Sequence, residues 1–304
     1  GNCVIEQSGH GTVTIGSIEK YITDTAWEKG WIKPIKILKE INQSVGIIGA
    51  GPAGLKAAEV AAKRGHKVTV FDRASEPGGR LRWVRKLGKP EKMLGAVDWL
   101  VSELEILGVE VQLGAEVDKS LISAIAPDTV VLATGASGSG LDVDSDGSIP
   151  IYTEDQAMTE DVGGRVLFVD LLGYQQQSFV AEYLCSIGAI LTMATPFPQV
   201  GPNIGFTHIR GHMERLYKFG AEFRTSTAVT RIANGEVELR HLFSKKTEAL
   251  SYDAVVAGTM AQADTSLLGT SRLFTNSIIL AGDAVAPRTA LHAFREGDDA
   301  GRQI

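Results

Sequence analysis

A glycine-rich turn between an apolar strand and a helix constrains this chain more than any other feature. The segment 45–55 has the sequence VGIIGAGPAGL. Gly49 permits the tight turn, Gly51 lets a pyrophosphate approach the backbone, and Gly54 lets the helix pack closely on the strand. The first helical N–H groups then face an anion, which the helix dipole favours. We therefore expect a dinucleotide here, bound by Gly49, Gly51, Pro52, Ala53 and Gly54.

The second strand ends in a carboxylate. Asp72 follows the glycine turn by about 20 residues, where an acid accepts hydrogen bonds from the ribose hydroxyls of an adenosine. Taken alone, Asp72 is equally typical of a solvated charge at a strand end, and the glycine turn at this spacing favours the ribose role. Arg73 is assigned to the same site.

Two later segments are expected to approach the same ligand. The segment 77–80, PGGR, indicates a loop whose glycines allow close backbone approach, with an ordinary surface turn as the alternative. An apolar strand ends in Gly-Asp at 282–283, where a carboxylate can hold a polyol chain and the next helix N-terminus can stabilise a reduced, anionic flavin.

Strand and helix patterns alternate along most of the chain. This alternation predicts mostly parallel sheets covered on both faces. We expect an α/β fold with two Rossmann-type dinucleotide-binding domains, in which an NAD(P)- or ADP-like domain interrupts the first domain. The predicted boundaries are 1–43 for a short helical N-terminal arm, 44–138 and 272–304 for the first domain, and 139–271 for the second.

Composition excludes several kinds of partner and chemistry. The 304 residues carry a formal net charge of -6 without a long Lys/Arg run, which argues against nucleic acid. No apolar stretch of about 18 residues and no secretory signal is evident, so we expect no membrane span and a cytoplasmic location. The only cysteines, Cys3 and Cys185, lie far apart, which excludes a thiol–disulfide active site. Any redox chemistry must belong to a cofactor.

Together these residues resemble a known family. The two-dinucleotide-domain flavoproteins of the glutathione-reductase-like fold share GAGPAGL at 49–55, Asp72, PGGR at 77–80, ATG at 133–135 and GDAVAPR at 282–288. From about residue 44 the chain is most similar to the carboxy-terminal half of the trimethylamine dehydrogenase and 2,4-dienoyl-CoA reductase family. The arm at 12–31 is similar to the small subunit of glutamate synthase.

The resemblance implies FAD as the cofactor, with the ATG segment (Ala133, Thr134, Gly135) forming the crossover beside it. The other residues that the resemblance assigns to FAD are Gly49, Gly51, Gly54, Asp72, Arg73, Gly79, Arg80, Leu81, Gly282 and Asp283. It also implies an FAD-dependent oxidoreductase subunit, in a hetero-oligomer, that relays electrons between a flavin or iron–sulfur partner and a second donor or acceptor, with NAD(P)H as a candidate. Cys3 matches the last cysteine of a cluster motif, but one cysteine cannot hold a cluster. No side chain is expected to act as a catalytic acid or base, because the flavin supplies the chemistry.

The second domain departs from the family pattern. Where a second GxGxxG is expected, 172–178 has the sequence LGYQQQS, and the side chains of Gln175 and Gln176 fill space that a pyrophosphate needs. NAD, NADP, ADP and an empty second site all stay open. The alternative function is a non-catalytic FAD- or ADP-binding structural subunit of a larger dehydrogenase complex. A self-contained NAD(P)H-dependent reductase is disfavoured by this loop.

Three other features favour ordinary structural roles. His208 and His212 are four residues apart, but without a third ligand they do not predict a metal site. Trp83 is expected to be a core aromatic rather than a ring against the flavin. Arg288 and His292 are compatible with a contact to the flavin or a partner and equally with plain helix positions.

Overall fold

The computed structural model describes residues 13–33, 37, 39–87, 91–275 and 277–304. Cys3, with its expected match to a cluster motif, lies outside these residues. The α-helices are α1 (Ile15–Glu28), α2 (Pro52–Lys63), α3 (Glu91–Ile106), α4 (Lys119–Ile125), α5 (Glu154–Thr159), α6 (Gln175–Ser186), α7 (Phe206–Lys218), α8 (Leu268–Ser271) and α9 (Ala290–Gln303). Two 3-10 helices span Gly79–Leu87 and Gly282–Ala284.

The strands fall into several sheets. In chain order they are β1 (Ile41–Ile48), β2 (His66–Asp72), β3 (Glu110–Leu113), β4 (Thr129–Leu132), β5 (Ala136–Ser137), β6 (Asp144–Ser145), β7 (Ile151–Thr153), β8 (Arg165–Asp170), β9 (Ile190–Ala194), β10 (Glu222–Arg224), β11 (Thr227–Ala233), β12 (Glu236–His241), β13 (Thr247–Ser251), β14 (Ala254–Gly258), β15 (Gln262–Ala263) and β16 (Ser277–Leu280). The chain divides into two compact units.

The first unit comprises residues 37–142, 151–161 and 256–304. Its parallel sheet has the strand order β16-β4-β1-β2-β3. In register, Ile48 pairs with both Phe71 and Leu132, and Leu132 pairs with Leu280. Because parallel strands end at the same edge of a sheet, the residues that follow β1, β2, β4 and β16 are brought to one edge.

Small residues let the helices of the first unit pack closely on this sheet and on each other. The alanines of α2 at positions 57, 58, 61 and 62 are buried, which places the helix backbone close to the strands. A Cβ added to Gly297 of α9 would lie 2.3 Å from the carbonyl oxygen of Ala53, and one added to Gly301 would lie 2.6 Å from Cβ of Val60. Thus the last strand and helix return to the first sheet, as predicted.

The second unit contains residues 143–150 and 162–255, and the N-terminal arm is grouped with it. Strands β8, β9 and β10 are neighbours in a parallel sheet. Beside it, β11, β12 and β13 form an antiparallel meander that was not predicted from the sequence. Its first turn is Asn234-Gly235, with both residues at positive φ, a strong hairpin signal that could have revealed it.

The α/β fold class with Rossmann-type sheets is confirmed. The compact units differ from the predicted domains, because residues 37–43, 139–142, 151–161 and 256–271 group with the first unit. The exact domain boundaries stay a prediction. Helix α1 of the arm has no buried residue. Within the described part of the chain, no helix has the length and apolar character needed to cross a membrane.

Candidate functional site

The glycine turn after β1 has the geometry that its sequence predicts. Gly49 has φ +113, and a Cβ there would lie 2.2 Å from the carbonyl oxygen of Ala133. A Cβ on Gly54 would lie 1.8 Å from the carbonyl oxygen of Gly49. No side chain fits at either position. Gly51 is the N-cap of α2 and Pro52 begins the helix, so the first N–H groups of α2 point out of the turn.

Backbone, and no side chain, lies next to Gly51 in this turn. A Cβ added to Gly51 would meet only Cα of Gly79, at 3.9 Å. The turn therefore presents a helix N-terminus without a covering side chain, and this cradle fits a diphosphate.

Asp72 is fixed against the same turn. One carboxylate oxygen accepts a hydrogen bond from the N–H of Ala50 at 2.6 Å, and the other accepts one from the N–H of Ala74 at 2.8 Å. Asp72 and Arg73 also line a cleft of about 210 Å³, together with Gly49, Glu116, Thr134 and Asp264. This cleft lies at the carboxyl edge of the sheet, where a nucleoside joined to a diphosphate on the turn would lie.

The PGGR segment lies directly over the glycine turn. Gly78 and Gly79 both have positive φ, and a Cβ on Gly79 would lie 3.2 Å from Cα of Gly51. The N–H of Gly78 donates to the carbonyl oxygen of Ala50 at 2.7 Å. The predicted loop is in fact the entry to a 3-10 helix, and Leu81 in that helix packs against the apolar core.

Arg80 makes a contact that was not predicted from the sequence. Its Nε and Nη2 donate to the two carboxylate oxygens of Asp155 in α5, at 3.0 Å and 2.6 Å. The guanidinium also lies 5.5 Å from the centre of the Trp83 ring. Asp155 has no motif around it, and the sequence offers no signal that would have identified it.

The Gly-Asp pair completes this edge of the sheet. Gly282 has φ +68, and a Cβ there would lie 2.7 Å from Cβ of Ala53. Asp283 accepts a hydrogen bond from the N–H of Arg288 at 3.1 Å. Burial raises the pKa of the Asp283 carboxyl, while that hydrogen bond and the charge of Arg80 act in the opposite direction.

The crossover segment lies beside the turn as well. Ala133 is buried against the glycine turn, and Gly135 has φ +78. The hydroxyl of Thr134 donates to the carbonyl oxygen of Asp264 at 2.5 Å. The first unit therefore brings the predicted site residues to one edge of its sheet, except that Leu81 turns into the core.

The corresponding turn of the second unit is closed. Strand β8 ends in Asp170, a fully buried residue whose carboxylate accepts hydrogen bonds from the N–H groups of Leu172 at 2.9 Å and Gly173 at 2.7 Å. The side-chain amide of Asn203 donates to the carbonyl oxygen of Leu172 at 2.7 Å. A Cβ on Gly173 would lie 2.4 Å from Cδ of Pro202.

These contacts do not fit the pyrophosphate of a pyridine nucleotide. The amide groups that would bind it already donate to a carboxylate of the chain itself, and a second anion beside that carboxylate is repelled. The next amide, that of Tyr174, donates to the side-chain oxygen of Gln177 at 3.2 Å. The sequence pointed to the glutamines as the obstacle, but Asp170 and the neighbouring Pro202 close the turn.

The two histidines of the candidate pair lie on one helix but in different environments. His208 is exposed, whereas His212 is buried and bonded through Nδ1 to Glu182. Arg215 completes this cluster, donating to Glu182 from Nε at 2.6 Å. Nearby Cys185 is buried, and burial, with the charge of Glu182, raises the pKa of its thiol to about 11. A thiol held in its neutral form is a poor nucleophile, so Cys185 is poorly suited to thiol chemistry.

The fold and the first site define a class of protein. A parallel sheet with a glycine turn, a following acid and a Gly-Asp pair at one edge, interrupted by a second α/β unit, is the arrangement of two-dinucleotide-domain flavoprotein oxidoreductases.

Comparison with known families agrees with this class. Residues 43–285 match the family described as pyridine nucleotide-disulphide oxidoreductase, and the chain belongs to this family. The predictions of a flavoprotein and of an FAD-dependent oxidoreductase are thereby confirmed. The family uses FAD and NAD(P), and the cofactor of the second unit is not settled by the match.

Individual relatives support the two predicted resemblances. A putative glutamate synthase [NADPH] small chain of Cereibacter sphaeroides is 52% identical over 138 residues, which are 44% of this chain and 33% of the relative. A probable N-methylproline demethylase of Rhizobium meliloti (strain 1021) is 32% identical over 203 residues, 65% of this chain and 29% of the relative. The aligned part is therefore a third or less of either curated relative.

A solved structure shows the same fold. Histamine dehydrogenase from Rhizobium sp. 4-9 superposes with a TM-score of 0.79 at 24% sequence identity, covering 90% of this chain and 45% of that protein. At this identity the likeness concerns the fold alone.

Proposed function

We propose that the first unit binds FAD with its diphosphate at the start of α2 and its adenosine in the cleft that Asp72 and Arg73 line. The observation that carries this proposal is the open N-terminus of α2, which Gly49, Gly51 and Gly54 keep free of side chains. The N–H groups of that first turn bind the diphosphate oxygens. Asp72 is already fixed at the turn and lines the cleft to which this proposal assigns the ribose.

The flavin half of the cofactor then lies toward Arg80 and Asp283. When bound, FAD supplies the redox chemistry, and the chain orients it and controls the charge around it. No described side chain at this edge is required as a catalytic acid or base. The residues proposed to hold FAD are Gly49, Gly51, Pro52, Ala53, Gly54, Asp72, Arg73, Gly79, Arg80, Ala133, Thr134, Gly135, Gly282 and Asp283.

We further propose that the chain relays electrons between a partner redox centre, containing a flavin or an iron–sulfur cluster, and a second donor or acceptor. The closed turn of the second unit supports a route that does not depend on a pyridine nucleotide at that turn. The relatives named as small chains of glutamate synthase support a subunit of a multi-component enzyme, and hence a hetero-oligomer. A cytoplasmic location remains part of this proposal.

Rapid-mixing experiments test the relay. Anaerobic photoreduction of the purified chain with bound FAD should bleach the flavin, and a co-purified partner should also reduce it. Excess NADH or NADPH should bleach the flavin at least tenfold more slowly than the partner does. Fast, saturable reduction by either nucleotide would contradict the partner route and support a nicotinamide site elsewhere in the chain.

The closed turn also favours a second candidate, a structural subunit that holds FAD or ADP without turnover. The two candidates differ in one measurement. In a structural subunit, photoreduced flavin would not pass its electrons to the partner within the turnover time of the complex, whereas the flavin of a relay subunit would be reoxidised by the partner within that time.

A further inference from the structure

Arg80 is held by a carboxylate from a distant part of the chain. The two parallel N–H···O bonds from Arg80 to Asp155 fix both the position and the plane of the guanidinium. The Arg80 and Asp155 side chains are only 24% and 33% exposed. Solvent therefore screens this pair less than an ordinary surface ion pair.

Asp155 is itself rigidly placed. Its Oδ2 atom also accepts a hydrogen bond from the N–H of Gly138 at 2.7 Å. Helix α5 begins with a capping box, in which the Thr153 hydroxyl accepts from the N–H of Gln156 and the Gln156 side chain accepts from the N–H of Thr153. The end of α5 is tied down as well, because Lys86 donates to the carbonyl oxygen of Met158.

This pair lies next to the turn proposed to bind the diphosphate of FAD. Arg80 directly follows Gly79, which lies against Gly51 at the diphosphate turn. Its charge also acts on Asp283 at the end of β16. Neither Arg80 nor Asp283 lines the cleft that contains Asp72, which the proposed function assigns to the adenosine. The proposed function therefore assigns the flavin to the side of Arg80 and Asp283.

We propose that Asp155 is a positioning residue, which holds the Arg80 guanidinium beside the flavin and offsets its positive charge, and so lowers the affinity of the flavin for electrons. This inference rests on the proposed binding of FAD in the first unit. An unpaired guanidinium would stabilise the negative charge of reduced flavin, and the carboxylate of Asp155 cancels part of that effect.

A redox titration of the full chain loaded with FAD tests the inference. At a fixed solution potential, D155N should raise the ratio of reduced to oxidised flavin by about tenfold, equivalent to about 30 mV for a two-electron couple. R80Q should shift the ratio in the opposite direction, and the double variant should return toward the wild type. A residue that only stabilised the fold would change thermal stability and leave the potential unmoved.

The matched control is D98N, which makes the same chemical change in an exposed pair of the same unit. The carboxylate of Asp98 is 65% exposed and 3.8 Å from Arg85, so its loss should leave the potential unchanged. An unchanged potential in D155N with stoichiometric FAD would overturn the inference and leave FAD binding intact. If D155N does not fold, the redox potential of the R80Q variant serves as the test. A wild-type flavin potential in R80Q would overturn the inference. Failure of the wild type to bind FAD would instead refute the proposed function.

Discussion

At the scale of single residues, the site depends on positions where a side chain is sterically excluded. Gly54 is the sharpest case, since its missing Cβ is what lets the start of α2 reach the Gly49 turn. The Asp72 carboxylate beside the turn is fixed by the protein itself, through the two hydrogen bonds that it accepts. The turn is therefore set for a ligand before any ligand arrives.

Replacement of Gly54 by alanine tests this steric requirement. The new methyl group must displace the Gly49 turn, so G54A should lose about 1–3 kcal/mol of unfolding free energy and most of its FAD affinity. Urea unfolding and FAD titration measure the two effects. Gly95 in α3 has nothing within 4 Å of an added Cβ, so G95A should keep both properties. Equal behaviour of the two variants would show that the turn can relax.

His66 should make the stability of the first unit depend on pH. The ring is buried at the start of β2, and among the described residues neither nitrogen has a hydrogen-bond partner. Burial, with a smaller effect of Arg64, lowers the pKa of His66 in the folded state. The unfolded chain then binds more protons below about pH 6.5, so stability falls as the pH drops from there toward the folded pKa.

The variant H66L should flatten this part of the stability curve. Urea unfolding at pH 7.5 and at pH 5.5 gives the slope, and H66L should lose less free energy between the two values than the wild type does. The exposed His208 provides the control, since H208Q should retain the wild-type slope. A slope in H66L as steep as in the wild type would assign the acid sensitivity to other groups.

At the scale of elements, the first unit depends on close contact between its first and last helices. Gly297 of α9 lies where any side chain would meet the carbonyl oxygen of Ala53, at 2.3 Å. Replacement by alanine, G297A, should separate the helices and cost about 1–3 kcal/mol in urea unfolding. Gly269 in α8 has open space around it, so G269A is the control. A wild-type midpoint in G297A would mean that the two helices adjust without cost.

Sequence patterns predicted those elements whose signals are local. The strand–turn–helix at 45–55 was predicted because each glycine has its own steric reason, and the parallel register then placed Asp72, Ala133 and Gly282 near it. The role of Asp155 was missed because the contact to Arg80 spans 75 residues and belongs to no motif. The closure of the second turn by Pro202 was missed for the same reason.

At the scale of the whole molecule, the candidate site is assembled from segments at both ends of the described chain. Residues 49–54 and 72–80 precede the second unit in the chain, and residues 282–283 follow it. The match to one family over 43–285 agrees with this return of the chain, because it includes residues of the first unit both before and after the second unit. The open turn of the first unit and the closed turn of the second together predict one adenine dinucleotide per chain.

The identity and amount of nucleotide released from the purified chain test this account most directly. After equilibration with excess FAD and removal of the free cofactor, the chain should be yellow and should release one FAD on denaturation. Its G54A variant, treated alike, should release little. A wild-type chain that remains colourless, or that releases only ADP after exposure to FAD, would contradict the account.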